Sequence, residues 1–196
     1  IPQNQTCCGA LHREAGQPEQ ALVLARKNRA AFHAAGVDTV ITVASGCGAV
    51  LADSGGPDDT DAAHRVRVLD IHQFLADVAL PEFLTLAALP VTIAVQDPCS
   101  LRNVLRAELA VYALLGRIPA ARIVPLAENH LCCGGAGTYP LRQPVMADLL
   151  RADKLAHLQQ LQPAILATAN LGCALHLSAG LRAQGLNIEV AHPLVL

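Results

Sequence analysis

Two distant stretches of this 196-residue chain are laid out on one plan, and any fold has to accommodate that plan twice. Cys7-Cys8-Gly9 opens the first stretch and Cys132-Cys133-Gly134 the second. Each leads into a helix signal that begins at Gln-Pro (Gln17-Pro18, Gln143-Pro144), then a strand signal, then a Gly-Cys turn (Gly46-Cys47, Gly172-Cys173). Cys8 and Cys47 are 39 positions apart, and Cys133 and Cys173 are 40 apart. Two long spacings in such close agreement mark an internal duplication, with one α/β unit and one site per copy. The second copy has a further cysteine upstream, Cys99, and a counterpart in the first would precede Ile1. The chain is therefore expected to be a piece of a longer protein, with a first unit over residues 1–80 and a second over 81–196.

Between these landmarks, strand and helix signals alternate. Leu22, Ala25, Arg29 and Phe32 recur at helical spacing over residues 18–35, and Gly36 stops the run. The β-branched run 37–43 reads as a buried parallel strand, and the polar run 53–63 as a surface loop. A strand is expected over 65–69 and a helix over 71–78 with Phe74 and Leu75 inward. Residues 81–89 read as a helical turn or two, without a decisive pattern. Residues 91–95 form a strand signal, and Pro98 suits the first position of one helix over 100–115, closed by Gly116. A short strand follows over 123–126. The helix expected over 143–160 carries an apolar stripe of Val145, Leu149, Ala152, Leu155, Ala156 and Leu158. A strand over 164–169, a helix to Gln184 and a last strand over 188–191, ended by His192-Pro193, complete the reading. The fold class is α/β: two duplicated Rossmann-like units with mainly parallel sheets, their cysteines at the carboxyl ends of strands. With 53% hydrophobic residues, the chain can bury the core such sheets need.

The cysteines fall where strands hand over to helices: Cys47, Cys99 and Cys173 directly, and Cys132-Cys133 after a short loop. In open parallel sheets that edge is where ligands bind, and helix N-termini point amide groups there. Adjacent thiols cannot both face one core, and the glycines after them let backbone approach whatever the thiols hold. Seven cysteines is an odd number, unlike the even set of a secreted disulfide scaffold, and fits reduced cysteines gathered for metal. Three other readings compete. Cysteines can be buried small apolar residues. Zinc suits four thiolates, although its usual short C-x₂₋₄-C knuckles are missing. A Cys–His nucleophile could use Cys133 with His130 or His176. Gly134-Gly135-Ala136-Gly137 lacks the register of a dinucleotide fingerprint. His12, His33, His64 and His157 read as solvated or partly buried, His130 at most as a support behind the ligands, and Asp97 as a cap for the helix at Cys99. A net charge of −2 advertises no basic face for nucleic acid. No apolar run approaches the roughly 20 residues of a membrane span. The polar opening Ile1-Pro2-Gln3-Asn4 is not a signal peptide, so a cytoplasmic location is expected, with peripheral contact at the inner face of the membrane through a partner left open.

The residues resemble the cysteine-rich CCG domain family, in which a lone cysteine is followed at long range by Cys-Cys-Gly and then by C-x-x-C, usually twice per chain. Cys99, Cys132, Cys133 and Cys173 occupy four of the five positions, and Asn170 stands at the fifth. The wording of 7–12, of Asp97-Pro98-Cys99-Ser100-Leu101-Arg102 and of 132–140 is most similar to the iron–sulfur subunits of glycolate oxidases within that family. The resemblance implies an iron–sulfur subunit of an oxidoreductase complex. Such a subunit passes electrons from a flavoprotein that oxidises glycolate or a similar 2-hydroxy acid, its FAD on that partner, toward a quinone-type acceptor. It also implies a ferredoxin-like region preceding Ile1. The implied ligands of a 4Fe–4S cluster are Cys99, Cys132, Cys133 and Cys173, with Gly134 and Gly135 beside them. Cys7, Cys8 and Cys47 form an incomplete second set. Asn170 in place of a thiol argues against the non-cubane cluster pair of five-cysteine members. The alternatives are a heterodisulfide or thiol–disulfide reductase subunit and a zinc-stabilised binding module without redox chemistry.

Overall fold

The computed structural model describes residues 1–53, 66–79, 81 and 83–196. The chain opens with α1 (Ala10–Glu14) and α2 (Pro18–Ala34), followed by β1 (Thr39–Thr42), α3 (Ser45–Ala52), β2 (Arg67–Asp70) and α4 (Ile71–Ala76). The second half runs through β3 (Thr92–Gln96), a π-helical turn (Ser100–Leu105), α5 (Glu108–Leu115), β4 (Arg122–Pro125), α6 (Tyr139–Arg142) and α7 (Pro144–Leu161). It ends with β5 (Ile165–Thr168), α8 (Leu171–Ala183), β6 (Glu189–Ala191) and a 3-10 turn (Pro193–Val195). The run α1-α2-β1-α3-β2 recurs as α6-α7-β5-α8-β6. Proline takes the first position of both long helices, where no amide hydrogen is needed and its fixed φ suits the helix.

Among the described residues, all strand pairs are parallel: β1 with β2 in one sheet, and the order β4-β3-β5-β6 in the other. From β3 the chain moves out to β4 on one side, then returns across β3 to lay down β5 on the other. The reversal creates a crevice at the carboxyl ends of β3 and β5, the place where such sheets bind ligands. Cys99 follows β3 and Cys173 follows β5, so both are delivered to that crevice by topology.

Alternation along the two central strands divides the core. Ile93, Val95, Ile165 and Ala167 face a cluster with Leu101, Val111 and Leu115. Ala94 and Leu166 face the opposite cluster with Leu155, Leu158, Leu177 and Leu181, and this second cluster also holds Cys133 and Cys173. The buried end of the site is thus continuous with the core, which fixes those thiols as firmly as any packed side chain. Among the described residues, no helix is long and apolar enough to cross a membrane.

Several expectations are corrected. The helix expected over 100–115 is broken. Its first part winds as a wide π turn, Arg106 takes a left-handed φ of 53°, and α5 then starts afresh. The wide turn buries Leu101 while Ala107 N–H reaches back to the Leu101 carbonyl. The stripe expected on α7 is mostly outside: Val145 and Leu149 are 76% and 58% exposed, and Ala152 and Ala156 are exposed too. The inward face is Ala147, Lys154, Leu155 and Leu158, because the ammonium of Lys154 finds a backbone partner inside. Phe74 is 41% exposed; α4 turns His72 inward instead, where Asp70 holds it at 2.6 Å. The run 37–43 is only half-buried, with Ile41 and Val43 exposed, since β1 has β2 as its one strand partner among the described residues. The described part of 81–89 contains no helix. Residues 54–63 of the expected surface loop, the start of the 65–69 strand and His64 lie outside the described residues.

Candidate functional site

All seven cysteines line one cavity of about 580 Å³. Its walls are α1, the start of α3, the π turn, the loop Cys132–Gly137 and the start of α8. The duplication predicts one site per copy; the fold opens both sets onto a shared space. Leu11, Val50, Val104 and Leu175 supply apolar wall, and Arg13 and Asp53, paired at 2.5 Å, stand among its lining residues.

The two copies build their thiols alike. Cys8 Sγ lies 3.0 Å from Cys47 Sγ, and Cys133 Sγ lies 2.9 Å from Cys173 Sγ. Cys47 and Cys173 are each the third residue of a helix, within the amide-rich first turn. Gly9 and Gly134 have φ of 84° and 83°, a left-handed conformation that turns the next amides back toward sulfur. Gly9 N–H points at Cys7 Sγ (3.5 Å), Gly134 N–H at Cys132 Sγ (3.3 Å) and Gly135 N–H at Cys133 Sγ (3.4 Å). A side chain on Gly134 would meet the Ala147 carbonyl at 2.7 Å, and one on Gly135 the Gly172 carbonyl at 2.7 Å. The Cys132–Gly135 loop is therefore pressed between α7 and α8. Cys8, Cys133 and Cys173 are buried, Cys47 and Cys132 half-buried, and Cys7 and Cys99 exposed.

The thiols share their protons. Cys132 is pulled down, first by the neighbouring Cys133 and Cys99 thiols, against the opposing effect of burial, with Gly134 N–H and the charge of Lys154 assisting. Cys133 and Cys99 are pushed up, in each case first by the hydrogen bond to Cys132. In the first copy, Cys47 is pulled down to about 7 by the hydrogen bond from Cys8, which is itself pushed up. In each set, one cysteine is thereby favoured to ionise ahead of its neighbours. A soft metal replaces the thiol protons as it binds.

A cofactor bound by thiolates fits this cavity. The donors are uniformly soft, they surround a space rather than a point, and backbone amides are aimed at the sulfurs. Among the described residues, no three His, Cys, Asp or Glu side chains are grouped to hold a single metal ion. That spread suits a polynuclear group better than one tetrahedral zinc, which needs its sulfurs about 2.3 Å from one centre.

Asn170 lines the cavity as a brace. Its Oδ1 accepts from Cys173 N–H at 3.2 Å, capping α8, and its Nδ2 reaches Ser45 and Ser100 Oγ at 3.3 Å each. Ala44, the equivalent residue of the first copy, gives α3 no such cap. Asp97 does not cap the turn at Cys99. It accepts from Tyr112 Oη (3.0 Å) and Asn129 Nδ2 (3.0 Å), while Asn129 Oδ1 accepts from Asp97 N–H (3.1 Å). This network ties the end of β3 to the loop before Cys132. Burial pushes the Asp97 carboxyl above its ordinary range. The Cys–His reading finds no pair: His176 is buried against the Ala147 carbonyl (3.1 Å), and His130 lies outside the cavity lining. His12 and His157 are half-buried and His33 exposed, as expected.

Sequence reasoning missed Lys154, 1% exposed, whose Nζ donates to the Glu128 carbonyl at 2.6 Å in the loop before Cys132. It also missed Asn28, equally buried, which accepts from Thr6 N–H (2.7 Å) and donates to the Cys7 carbonyl (3.0 Å). Aligning α2 with α7 would have flagged both. The fourth, eleventh and fifteenth residues are Ala21, Asn28 and Phe32 in one helix and Ala147, Lys154 and Leu158 in the other, and all six are buried.

Residues 1–52 and 93–178 match the family model of the cysteine-rich CCG domain. The chain is 33% identical, over 97% of its length, to the Bacillus subtilis protein named "Probable glycolate oxidase iron-sulfur subunit", covering 44% of that protein. It is 31% identical, over 91% of its length, to the glycolate oxidase iron–sulfur subunit of Escherichia coli, covering 46% of it. It is 30% identical, over 95% of its length, to a fumarate reductase (CoM/CoB) subunit of Methanothermobacter marburgensis, covering 36% of it. The chain spans less than half the length of each of these relatives. With the family model matched over both copies and every cysteine on one cavity, the chain belongs to the CCG cysteine-rich domain family.

Proposed function

We propose that this chain is the cysteine-rich part of an iron–sulfur subunit of an oxidoreductase complex. The observation that carries the reading is the gathering of seven thiols from two repeats onto one cavity at the carboxyl ends of parallel strands. Cys99, Cys132, Cys133 and Cys173 would hold a 4Fe–4S cluster, and Cys7, Cys8 and Cys47 would face it from the other repeat. Bound there, the cluster supplies one-electron transfer. The chain's own residues do the rest. Gly134 and Gly135 direct amide hydrogens at the sulfurs, Asn170 holds Cys173 in place, and the apolar wall keeps water from the buried thiols. Asn170 is engaged as a cap and brace, which supports a four-thiol cluster over the five-thiol arrangement that a heterodisulfide reductase reading asks for.

The finer reading rests on relatives named as glycolate oxidase subunits. In it, electrons arrive from a flavoprotein that carries FAD and oxidises glycolate or a similar 2-hydroxy acid. They leave toward a quinone-type acceptor, and a ferredoxin-like region of the same protein accompanies the chain. The complex would work in the cytoplasm or against the inner face of the membrane. Residues 1–80 and 81–196 would form the two units, each contributing one side of the cavity. Anaerobic purification with iron and acid-labile sulfide analysis tests the reading, and zinc without iron would defeat it. Cys132→Ser and Cys173→Ser are each expected to abolish this cluster's own electron paramagnetic resonance signal in the reduced protein. An unchanged spectrum in both means that these cysteines hold no cluster.

A further inference from the structure

Lys154 is the largest fully buried side chain of the described residues, and it is a cation. Its Nζ donates to the Glu128 carbonyl at 2.6 Å, and Glu128 adopts a left-handed φ of 52° to present that carbonyl. This contact lies four residues before Cys132. The helix that carries Lys154 also carries Ala147, whose carbonyl closes on Gly134. The ammonium is thus held against the Cys132–Gly134 loop from behind, away from water. A buried ammonium is costly unless a negative charge stands near it, since burial alone favours the neutral amine. Burial does push Lys154 down, and the Cys133–Cys132 pair and the Glu128 carboxylate beside it oppose this.

The other repeat supplies the control. At the same step along its helix it has Asn28, equally buried and likewise bonded to the backbone beside its cysteine pair, but neutral. The anchoring of the loop is therefore common to both repeats, and the charge belongs to one.

We infer that Lys154 is a positioning and charge-tuning residue that raises the reduction potential of the cluster held by Cys99, Cys132, Cys133 and Cys173. The inference rests on the iron–sulfur reading above. One electron entering that cluster adds one negative charge beside a fixed ammonium in a low-dielectric wall, and the ammonium stabilises the reduced form more than the oxidised one. Asn28 gives no such bias on its own side of the cavity, so the two sides are electrostatically unequal.

The test is a potentiometric titration of the full-length protein with dithionite and mediators, followed by electron paramagnetic resonance. It compares wild type, Lys154→Gln, which keeps a donor without the charge, and Lys154→Arg, which keeps the charge. In Lys154→Gln the reduction equilibrium constant is expected to fall about tenfold, about 59 mV for one electron, and Lys154→Arg to return it to near wild type. A loaded Lys154→Gln protein with an unchanged midpoint overturns the inference and leaves the cluster reading standing. Wild-type protein without iron and sulfide overturns both. If Lys154→Gln does not load, Lys154→Met is titrated in its place. Failure of both neutral variants to load, with Lys154→Arg loading normally, assigns Lys154 a structural role and overturns the tuning role.

Discussion

The two repeats start from the same parts and reach different electrostatic states. Both place a buried cysteine, Cys8 or Cys133, about 3 Å from a cysteine in the first turn of a helix. In the first repeat the favoured thiolate is Cys47, and in the second it is Cys132. The reason is the number of neighbouring thiols. Cys132 is lowered by two neighbouring thiols, Cys133 and Cys99, because β3 and its turn bring Cys99 close, whereas Cys47 is lowered by Cys8 alone. The sheets differ in the same sense. β5 is flanked by β3 and β6 and is buried along its length, while β1 has only β2 among the described residues and stays half-exposed. A duplicated motif thus fixes where the sulfurs go, and the strands around each copy decide how much charge they carry.

The sharpest way to strain this comparison is through the paired glycines. Gly134→Ala forces a left-handed alanine, at about 1–2 kcal/mol. It also drives a methyl to 2.7 Å from the Ala147 carbonyl, for about another 1–3 kcal/mol. Gly9→Ala carries the same conformational cost, but its nearest neighbours are the Ala21 backbone atoms at 3.2 Å, which need yield only slightly. Urea unfolding of the two variants should therefore show the larger loss for Gly134→Ala. Equal losses would mean that the two loops are packed alike and that their difference lies in charge alone.

The caps differ next. Asn170→Ala removes the side chain that caps α8, at about 1 kcal/mol, and frees Ser45 and Ser100 from their shared donor. Asn170→Asp keeps an oxygen for Cys173 N–H while losing the donor to the two serines. The gap between these variants in urea midpoint measures the cap. If alanine and aspartate lose the same amount, the cap is worthless and α8 starts as unaided as α3 does after Ala44.

How much of this is legible in the sequence follows from what each feature depends on. The strands, the long helices and the handover positions of Cys47, Cys99 and Cys173 depend on local pattern, and are readable. So is the duplication, which two spacings and two Gln-Pro starts give away. Lys154 is not readable, because hydropathy assigns a lysine outward, and only a carbonyl presented by a left-handed Glu128 makes its burial tolerable. The stripe on α7 is misplaced for the same reason: the apolar Val145 and Leu149 lie on the face opposite the charge that is actually inside. The break after Leu105 depends on a wide turn with no composition cue. Asp97 reads as a cap for the helix nearest in sequence, whereas Tyr112 and Asn129 come to it through the fold. The single cavity depends on how the two repeats face one another, which no spacing encodes.

The smallest effect concerns the contact between the repeats just past the ends of β2 and β6. His192 Nε2 donates to the Val43 carbonyl at 3.0 Å, and its Nδ1 accepts from Leu194 N–H at 3.2 Å, so the neutral ring is satisfied at both nitrogens. Its ring stacks on His72, 5.3 Å away, which is buried with Asp70. Burial holds His192 below its ordinary value of 6.5; His72 also lowers it, while the Val43 carbonyl and Asp70 oppose the shift. Because the folded value is the depressed one, the unfolded chain takes up this proton first as pH falls. Folding stability therefore drops as the pH goes below about 6.5, and His192 contributes no pH dependence well above it. Protonation also removes the Nδ1 acceptor that Leu194 uses. The urea midpoint of the wild type should fall more than that of His192→Gln between about pH 7.5 and about pH 5.5. Parallel pH curves for the two proteins would show that His192 is no part of the join, leaving the Ser45 N–H to Ala169 carbonyl bond and the Asn170 brace to hold the repeats together on that side of the sheets.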